Sequence, residues 1–166
     1  MKDMNPSEDY VFLKRGFKSK NRSLLAAMTN KQSHEDGTLS DEEITWLTRR
    51  AKDGFGIVTT AASHVSELGK GWIGEMGVWS DNHIGGLTKL ASSLKQHGSL
   101  NLVQIFHGGM KAPFEINNVI PVCPSKMMIE ATGKLLARAL ETDEIYQLIE
   151  DFSDAAKRCE DAGFDG

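Results

Sequence analysis

Gly54-Phe55-Gly56-Ile57-Val58-Thr59-Thr60 is the stretch on which the fold turns. A glycine closes a polar segment with helical spacing, and a run rich in β-branched residues begins at once. The same hand-over recurs at Gly98 before Leu100-Asn101-Leu102-Val103-Gln104-Ile105. It recurs again at Gly163, where Phe164-Asp165-Gly166 stand at the start of a further strand. Upstream, Ser23-Leu24-Leu25-Ala26-Ala27-Met28 is apolar on both faces, as a strand inside a parallel sheet or barrel must be.

Helical patterns separate these runs. Ser40-Asp41-Glu42-Glu43 matches a capping box, in which the Ser40 hydroxyl accepts a backbone N–H and Glu43 reaches back. Ile44, Leu47 and Ala51 then recur at helical spacing up to Gly54. Asp81 opens a second helix with the stripe Ile84, Leu87, Leu90, Ala91 and Leu94, ending at Gly98. Thr142-Asp143-Glu144 opens a third, with carboxylates at its positive dipole end. Its expected buried stripe is Ile145, Leu148, Ile149, Phe152, Ala155, Ala156 and Cys159. Ahead of all this, residues 10–17 alternate weakly about a Lys14-Arg15-Gly16 turn, which reads as a short hairpin or an extended lead-in.

Strand, helix, strand, helix, strand, helix is the α/β order, and right-handed crossovers then dictate a parallel sheet. A doubly wound sheet and a (β/α)8 TIM barrel both satisfy it. The segments after the strands are long, at residues 29–39, 61–80 and 107–141, whereas the turns after the helices are very short. Long loops at strand carboxyl ends are where barrels build their active sites. No G-x-G-x-x-G or G-x-x-x-x-G-K-[ST] follows the first strand, which weakens the dinucleotide and P-loop alternatives. The expectation is about the first three βα units of a TIM barrel, residues 1–166 forming one part of a single domain. Three strands cannot close a barrel of about eight strands and about 250 residues.

Composition narrows the function classes. The 166 residues carry a formal net charge of -4, so no basic field exists to hold nucleic acid or anionic membranes. Two cysteines, Cys123 and Cys159, lack metal-ligand spacing and fit a reducing compartment. Residues 1–9 have no apolar signal-peptide core, and no run approaches the roughly 20 apolar residues of a spanning helix. A cytoplasmic protein without membrane or nucleic-acid partners is expected.

Seven separated segments then agree with one family. They are Lys20-Asn21-Arg22 with Ala26-Ala27-Met28-Thr29; Asp36-Gly37; Gly56-Ile57-Val58-Thr59-Thr60-Ala61; Gly77-Val78-Trp79-Ser80; Val103-Gln104-Ile105-Phe106-His107-Gly108-Gly109; Pro121-Val122-Cys123-Pro124-Ser125; and Ile149-Glu150-Asp151-Phe152 through Gly166. Together they resemble the amino-terminal half of the Old Yellow Enzyme family of FMN-dependent NAD(P)H oxidoreductases. The resemblance implies a flavin across the carboxyl ends of barrel strands, reduced by NAD(P)H and passing hydride to the β-carbon of an activated alkene. It implies Thr29 near the flavin C4 oxygen, Ala27 and Met28 lining the ring, Ala61 as the small residue beside the pyrimidine, and Gln104 at the pyrimidine edge. His107 is a substrate-side candidate.

The chain departs from the family pattern at Ala27, where proline is usual, at Asn30 (a basic residue), at Thr60 (an acidic one) and at Met110 (arginine). The family's His-x-x-His or His-x-x-Asn pair and its tyrosine are expected beyond Gly166, so no catalytic residue is assigned here. Two alternatives stand beside the enzyme reading: a non-catalytic half-barrel that assembles with a second half or with itself, and a barrel for another phosphorylated ligand.

Residue by residue, blander roles compete. Thr29 also reads as a turn cap and His107 as a loop residue, whereas a long amide at Gln104, closing an apolar strand, needs a partner. His34, His64, His83 and His97 read as surface histidines, and no metal site is expected. Trp46, Trp72 and Trp79 read as helix or loop packing, and Met127-Met128 as packing. Ser63 lacks a nucleophile elbow.

Overall fold

In the computed structural model, which describes residues 5–166, an amino-terminal hairpin leads into a parallel sheet. The first four residues, part of the stretch read for a signal peptide, lie outside the described ones. Strands β1 (Tyr10–Phe12) and β2 (Phe17–Ser19) pair antiparallel about Gly16, whose φ of +72° suits glycine. The hairpin reading of residues 10–17 is borne out.

The sheet proper holds β3 (Leu24–Leu25), β4 (Ile57–His64), β5 (Met76–Gly77) and β6 (Leu100–Phe106), all parallel where they pair. β6 runs along one edge of β4 from Ile57 to His64. The other edge is shared by β3 at its start, Leu24 opposite Ile57, and β5 at its end, Ser63 opposite Met76. The ladder of the first strand therefore covers two residues rather than the six expected. Ala27, Met28 and Thr29 continue unpaired beside the irregular part of β4, and β5 joins that edge only at Ser63 and His64. Phe164-Asp165-Gly166 already lie along the far edge of β6: Asp165 N–H donates to Asn101 O at 3.0 Å and Val103 N–H to Gly166 O at 3.0 Å.

Helices α1 (Asp41–Lys52), α2 (Ile84–Lys95) and α4 (Thr142–Asp161) follow β3, β4 and β6. Leu47, Ala51, Val58, Leu87, Leu90 and Leu94 form the layer between helices and sheet and have no exposed surface. Burial of that completeness stabilises by about 1.5–3 kcal/mol per large aliphatic side chain. Asn101, the polar residue in this layer, is satisfied: its Nδ2 donates to Ala91 O at 3.2 Å and its Oδ1 accepts from Asp165 N–H at 2.7 Å.

Four local expectations need correction. Ser40 Oγ accepts from Glu43 N–H at 3.1 Å as expected, but the Glu43 carboxylate does not reach back. It is fully buried and takes Asn30 Nδ2 at 2.9 Å and Ser33 Oγ instead, donors that a box closed on its own backbone would leave unmet. Asp81 opens a 3-10 turn, Asp81–His83, with Ser80 as its cap, and α2 starts only at Ile84. The stripe of α4 is buried at Ala155 and Cys159, while Ile145 is 46% and Ile149 59% exposed and Ala156 is also exposed. Only the carboxyl-terminal half of that helix packs under α2 and β6. Its start is held by a reciprocal box between Glu141 and Glu144, which Arg138 also clasps.

Finally, residues 107–141 are not one loop. They contain α3 (Phe114–Asn117) and a small sheet of β7 (Val122–Cys123), β8 (Met127–Ile129) and β9 (Lys134–Ala139) in the order β7-β9-β8. Gly133, at φ +64°, turns the β8–β9 hairpin. Met127 and Met128 sit on it at 41% and 44% exposure, so they do not pack a core; a two-sided hairpin at the edge of the molecule has only one face to bury.

Candidate functional site

The carboxyl ends of β3, β4 and β6 converge on one side of the sheet. Asn101 reaches α2, and Val103 and Ile105 pack against the helix-side core. Strand alternation therefore turns Leu102, Gln104 and Phe106 to the opposite face. Gln104 is exposed there, and among the described residues its side-chain amide has no hydrogen-bond partner.

Directly across from it β4 carries an irregularity. The register passes from Thr59 opposite Leu102 to Ala62 opposite Gln104, so Thr60 and Ala61 together face the single residue Val103. Such a bulge bends the strand and re-aims its side chains. Two hydroxyls stitch it: Thr60 Oγ1 donates to Ala61 O at 2.8 Å and accepts Gln104 N–H at 3.3 Å, and Ser63 Oγ donates to Ala61 O at 3.0 Å. Ala61 is 4% exposed. Counting on from Leu25 opposite Val58 brings Met28 level with Ala61. Met28 and Thr29 are exposed and Ala27 is half-buried. The sequence-derived residues Ala27, Met28, Thr29, Ala61 and Gln104 thus share the strand-end region and line none of the described cavities, forming an open floor.

The segment after Thr29 is anchored to the helix layer. Asn30 and Ser33 bind the buried Glu43 of α1, and Ser33 N–H donates to Gly74 O at 3.2 Å. Gly74, at φ +78°, brings its backbone so close that a Cβ would stand 2.6 Å from Lys31 O.

His107 lies just past β6, half-buried, and stands apart from that floor on a cavity of about 470 Å3 lined also by Leu68, Ile120, Leu148 and Asp151. Its Nδ1 accepts Gly109 N–H at 3.0 Å, so the neutral ring carries its proton on Nε2. Burial lowers its pKa against the opposing pull of Asp151.

Two further histidines were expected at the surface and are not there. His64 ends β4 at 2% exposure and His83 ends the 3-10 turn at 4%. The strand runs on to His64 rather than stopping at Thr60, and β5 closes over it. Burial, with the Lys70 charge second, pushes the His64 imidazole down to about 3, and burial also lowers His83. Glu75 Oε2 stands 4.0 Å from His64 Nδ1 and accepts Gly71 N–H at 2.5 Å; burial pushes this carboxyl up to about 7. Neither Lys70 nor Glu75 was singled out from the sequence, where both lie in the long segment after the second strand, and His64 and His83 were read only as surface residues. Among the described residues no cluster of His, Cys, Asp and Glu is arranged to hold a metal.

The model of the NADH:flavin oxidoreductase / NADH oxidase family matches residues 13–166. The chain belongs to that family. It is 37% identical over 171 aligned positions to a probable NADH-dependent flavin oxidoreductase, YqiG, of Bacillus subtilis (strain 168), covering 98% of this chain and 44% of that protein. It is 35% identical to the NADH:fumarate oxidoreductase of Klebsiella pneumoniae (strain 342), covering 93% of this chain and 17% of that protein. Among solved structures it superposes on the Old Yellow Enzyme homologue of Zymomonas mobilis with a TM-score of 0.84 and 27% identity, over 98% of this chain and 47% of that one. For 2-naphthoyl-CoA reductase the TM-score is 0.89 at 28% identity, over 98% of this chain and 26% of that one. The chain thus spans less than half the length of these relatives, and the parallel sheet with its covering helices corresponds to part of an Old Yellow Enzyme barrel. No helix of the described residues is long and apolar enough to cross a membrane.

Proposed function

We propose that these residues supply the first three βα units and one side of the cofactor site of an FMN-dependent NAD(P)H oxidoreductase that reduces activated C=C bonds. One observation carries the reading: next to the Thr60–Ala61 bulge, which faces Val103, the Ala62–Gln104 pair brings to the strand carboxyl ends an amide that has no protein partner among the described residues and faces open space. The residues present fit a flavin. The pyrimidine edge of an isoalloxazine alternates donors and acceptors, and a primary amide offers both. The methyl group of Ala61 leaves room for a planar ring to approach β4, and the exposed hydroxyl of Thr29 is free to donate toward a carbonyl oxygen.

When bound, FMN supplies hydride transfer between NAD(P)H and the β-carbon of the alkene. The chain's own part is to hold and orient. Gln104 fixes the pyrimidine edge, Met28 and Ala27 line the ring, and Thr29 tunes its electronics by hydrogen bonding. His107, with its proton on Nε2, lies on the separate cavity and would serve the substrate side only for a substrate that reaches across to it. Small electrophilic alkenes are the substrate class, and the unbridged, buried Cys123 and Cys159 suit the cytoplasm.

The test joins Gly166 to the carboxyl-terminal remainder of the Bacillus subtilis relative. The completed barrel is expected to retain FMN in equimolar amount, to bleach with NADH or NADPH, and to recover its colour with 2-cyclohexenone under anaerobic conditions. The 166-residue chain alone is expected to bind FMN weakly, since only one side of the ring is contacted. A folded but colourless hybrid would overturn the proposal.

A further inference from the structure

The chain has no strand ladder where the flavin reading needs a fixed backbone. β3 pairs with β4 only at Leu24 and Leu25, and among the described residues no backbone hydrogen bond from Ala26 to Gln32 reaches another segment. Yet this stretch carries Met28 and Thr29 to the strand-end floor, where both are exposed. Side chains and the two ends of the stretch are left to hold it in place.

The far end is fastened on a single residue. Glu43, in the first turn of α1, is 0% exposed, and both of its carboxylate oxygens are engaged there: Oε1 accepts Asn30 Nδ2 at 2.9 Å and Oε2 accepts the Ser33 hydroxyl. Ser33 N–H donates to Gly74 O, and Asn30 Oδ1 accepts Gln32 N–H at 3.4 Å. Between the two fastenings Lys31 stands at φ +54°, a left-handed conformation that a non-glycine residue keeps only where its surroundings impose it. Asn30 follows Thr29 directly in the chain, so fixing the one restrains the other.

Stability alone does not ask for a carboxylate at this place. Among the described residues no cation lies within ion-pair distance of Glu43, so its loss of water is offset only by the two hydrogen bonds and the positive end of the α1 dipole. An apolar side chain of similar length would fill the space without that desolvation. It would also leave Asn30 and Ser33 unheld. What the carboxylate adds is the position of the segment.

We infer that Glu43 is a positioning residue for the cofactor site: through Asn30 and Ser33 it fixes Thr29, and so sets the reduction potential of the bound flavin from within the helix layer. This rests on the flavin reading, in which Thr29 donates toward a carbonyl oxygen of the ring. A donor placed there favours the negative charge that builds up on reduction, so a displaced Thr29 lowers the potential.

The test has a flavin-free arm and a flavin arm. In the 15N-labelled 166-residue chain, relaxation order parameters of Met28 and Thr29 are expected near the rigid value of about 0.85 and to fall below about 0.6 in Glu43→Met. Glu43→Gln is expected to keep them, since its amide oxygen accepts from Asn30 and its N–H donates to the Ser33 hydroxyl. In the completed barrel at saturating FMN, Glu43→Met is expected to lower the potential in the same direction as Thr29→Val, the double variant to match Thr29→Val alone, and Glu43→Gln to restore the unmodified value. If Glu43→Met does not fold, Asn30→Ala and Ser33→Ala, which remove the two bonds singly, take its place in both arms. Rigid Met28 and Thr29 in these variants, an unmoved potential, or a shift that adds to that of Thr29→Val overturns the inference. A potential unmoved by Thr29→Val itself overturns the reading of Thr29, and the flavin-free arm separates that failure from a failure of the tether.

Discussion

The layer between helices and sheet and the rim at the strand carboxyl ends are both built from β4, yet they are opposite kinds of interior. In the layer, Leu47, Val58, Leu87, Leu90 and Leu94 are wholly buried and Asn101 is hydrogen-bonded through both ends of its amide, with Thr48 Oγ1 of α1 an isolated buried hydroxyl lacking a partner. At the rim, His64, Glu75 and His83 are nearly as buried, but ring nitrogens and the Glu75 Oε1 are left unpartnered, and the Gln104 amide faces open space. The layer spends its burial on stability. The rim keeps polar groups whose satisfaction must come from elsewhere, as sites that bind ligands do.

Substitutions should divide along that line. Leu90→Ala, at the centre of the layer, is expected to cost about 2–5 kcal/mol through lost contacts and a cavity, measured by urea unfolding. If the loss stayed below about 1 kcal/mol, the layer would not be the stabilising core. Glu43→Ala joins the two regions, since it frees Asn30 and Ser33 from α1. An expected loss of about 1–3 kcal/mol should come with faster proteolysis within residues 29–33, and uniform protection of that segment would contradict the tether.

Gln104→Leu sharpens the contrast from the other side. In the completed barrel it should weaken FMN binding by about 1–3 kcal/mol, while unfolding shifts by less than about 0.5 kcal/mol. Thr29→Val should move the flavin potential and change affinity less. Unchanged flavin affinity in Gln104→Leu would remove the pyrimidine assignment.

A further test is one of pH. Glu75 is held up to about 7 in the fold against an ordinary 4.5, so the folded state binds its proton more tightly. Its contribution to stability is present below about 4.5 and is lost as pH rises through 7. His64, lowered to about 3, works oppositely: its contribution is present above about 6.5 and is lost as pH falls toward 3. The two oppose each other between pH 4.5 and 6.5. Relative to Glu75→Gln, the unmodified chain should therefore gain stability as pH is lowered from 7 to 4.5, read as thermal midpoints of both proteins across that window. A constant difference would mean that Glu75 ionises normally.

Much of this was legible along the chain. Gly54, Gly98 and Gly163 mark helix ends because a left-handed residue there is a local requirement, and the buried stripe of α2 is a local periodicity. Gln104 was legible as a long amide closing an apolar run, although the structure leaves it exposed rather than buried. The bulge at Thr60–Ala61 was not legible, since it depends on which residues of β6 lie opposite. Nor was the role of Glu43, because a capping box and a tether to Asn30 share one spacing and only the folded loop chooses between them.

The sequence by itself determined the parallel α/β order, the glycine-marked helix ends and the family, each a matter of local periodicity, turn chemistry or motif order. The tertiary structure alone decided that His64, Lys70, Glu75 and His83 are buried together at the rim, that a bulge at Thr60–Ala61 adjoins the Ala62–Gln104 pair, and that part of the α4 stripe is exposed. Burial and unmet hydrogen bonds are properties of what surrounds a side chain, and those surroundings come from segments far apart in the chain.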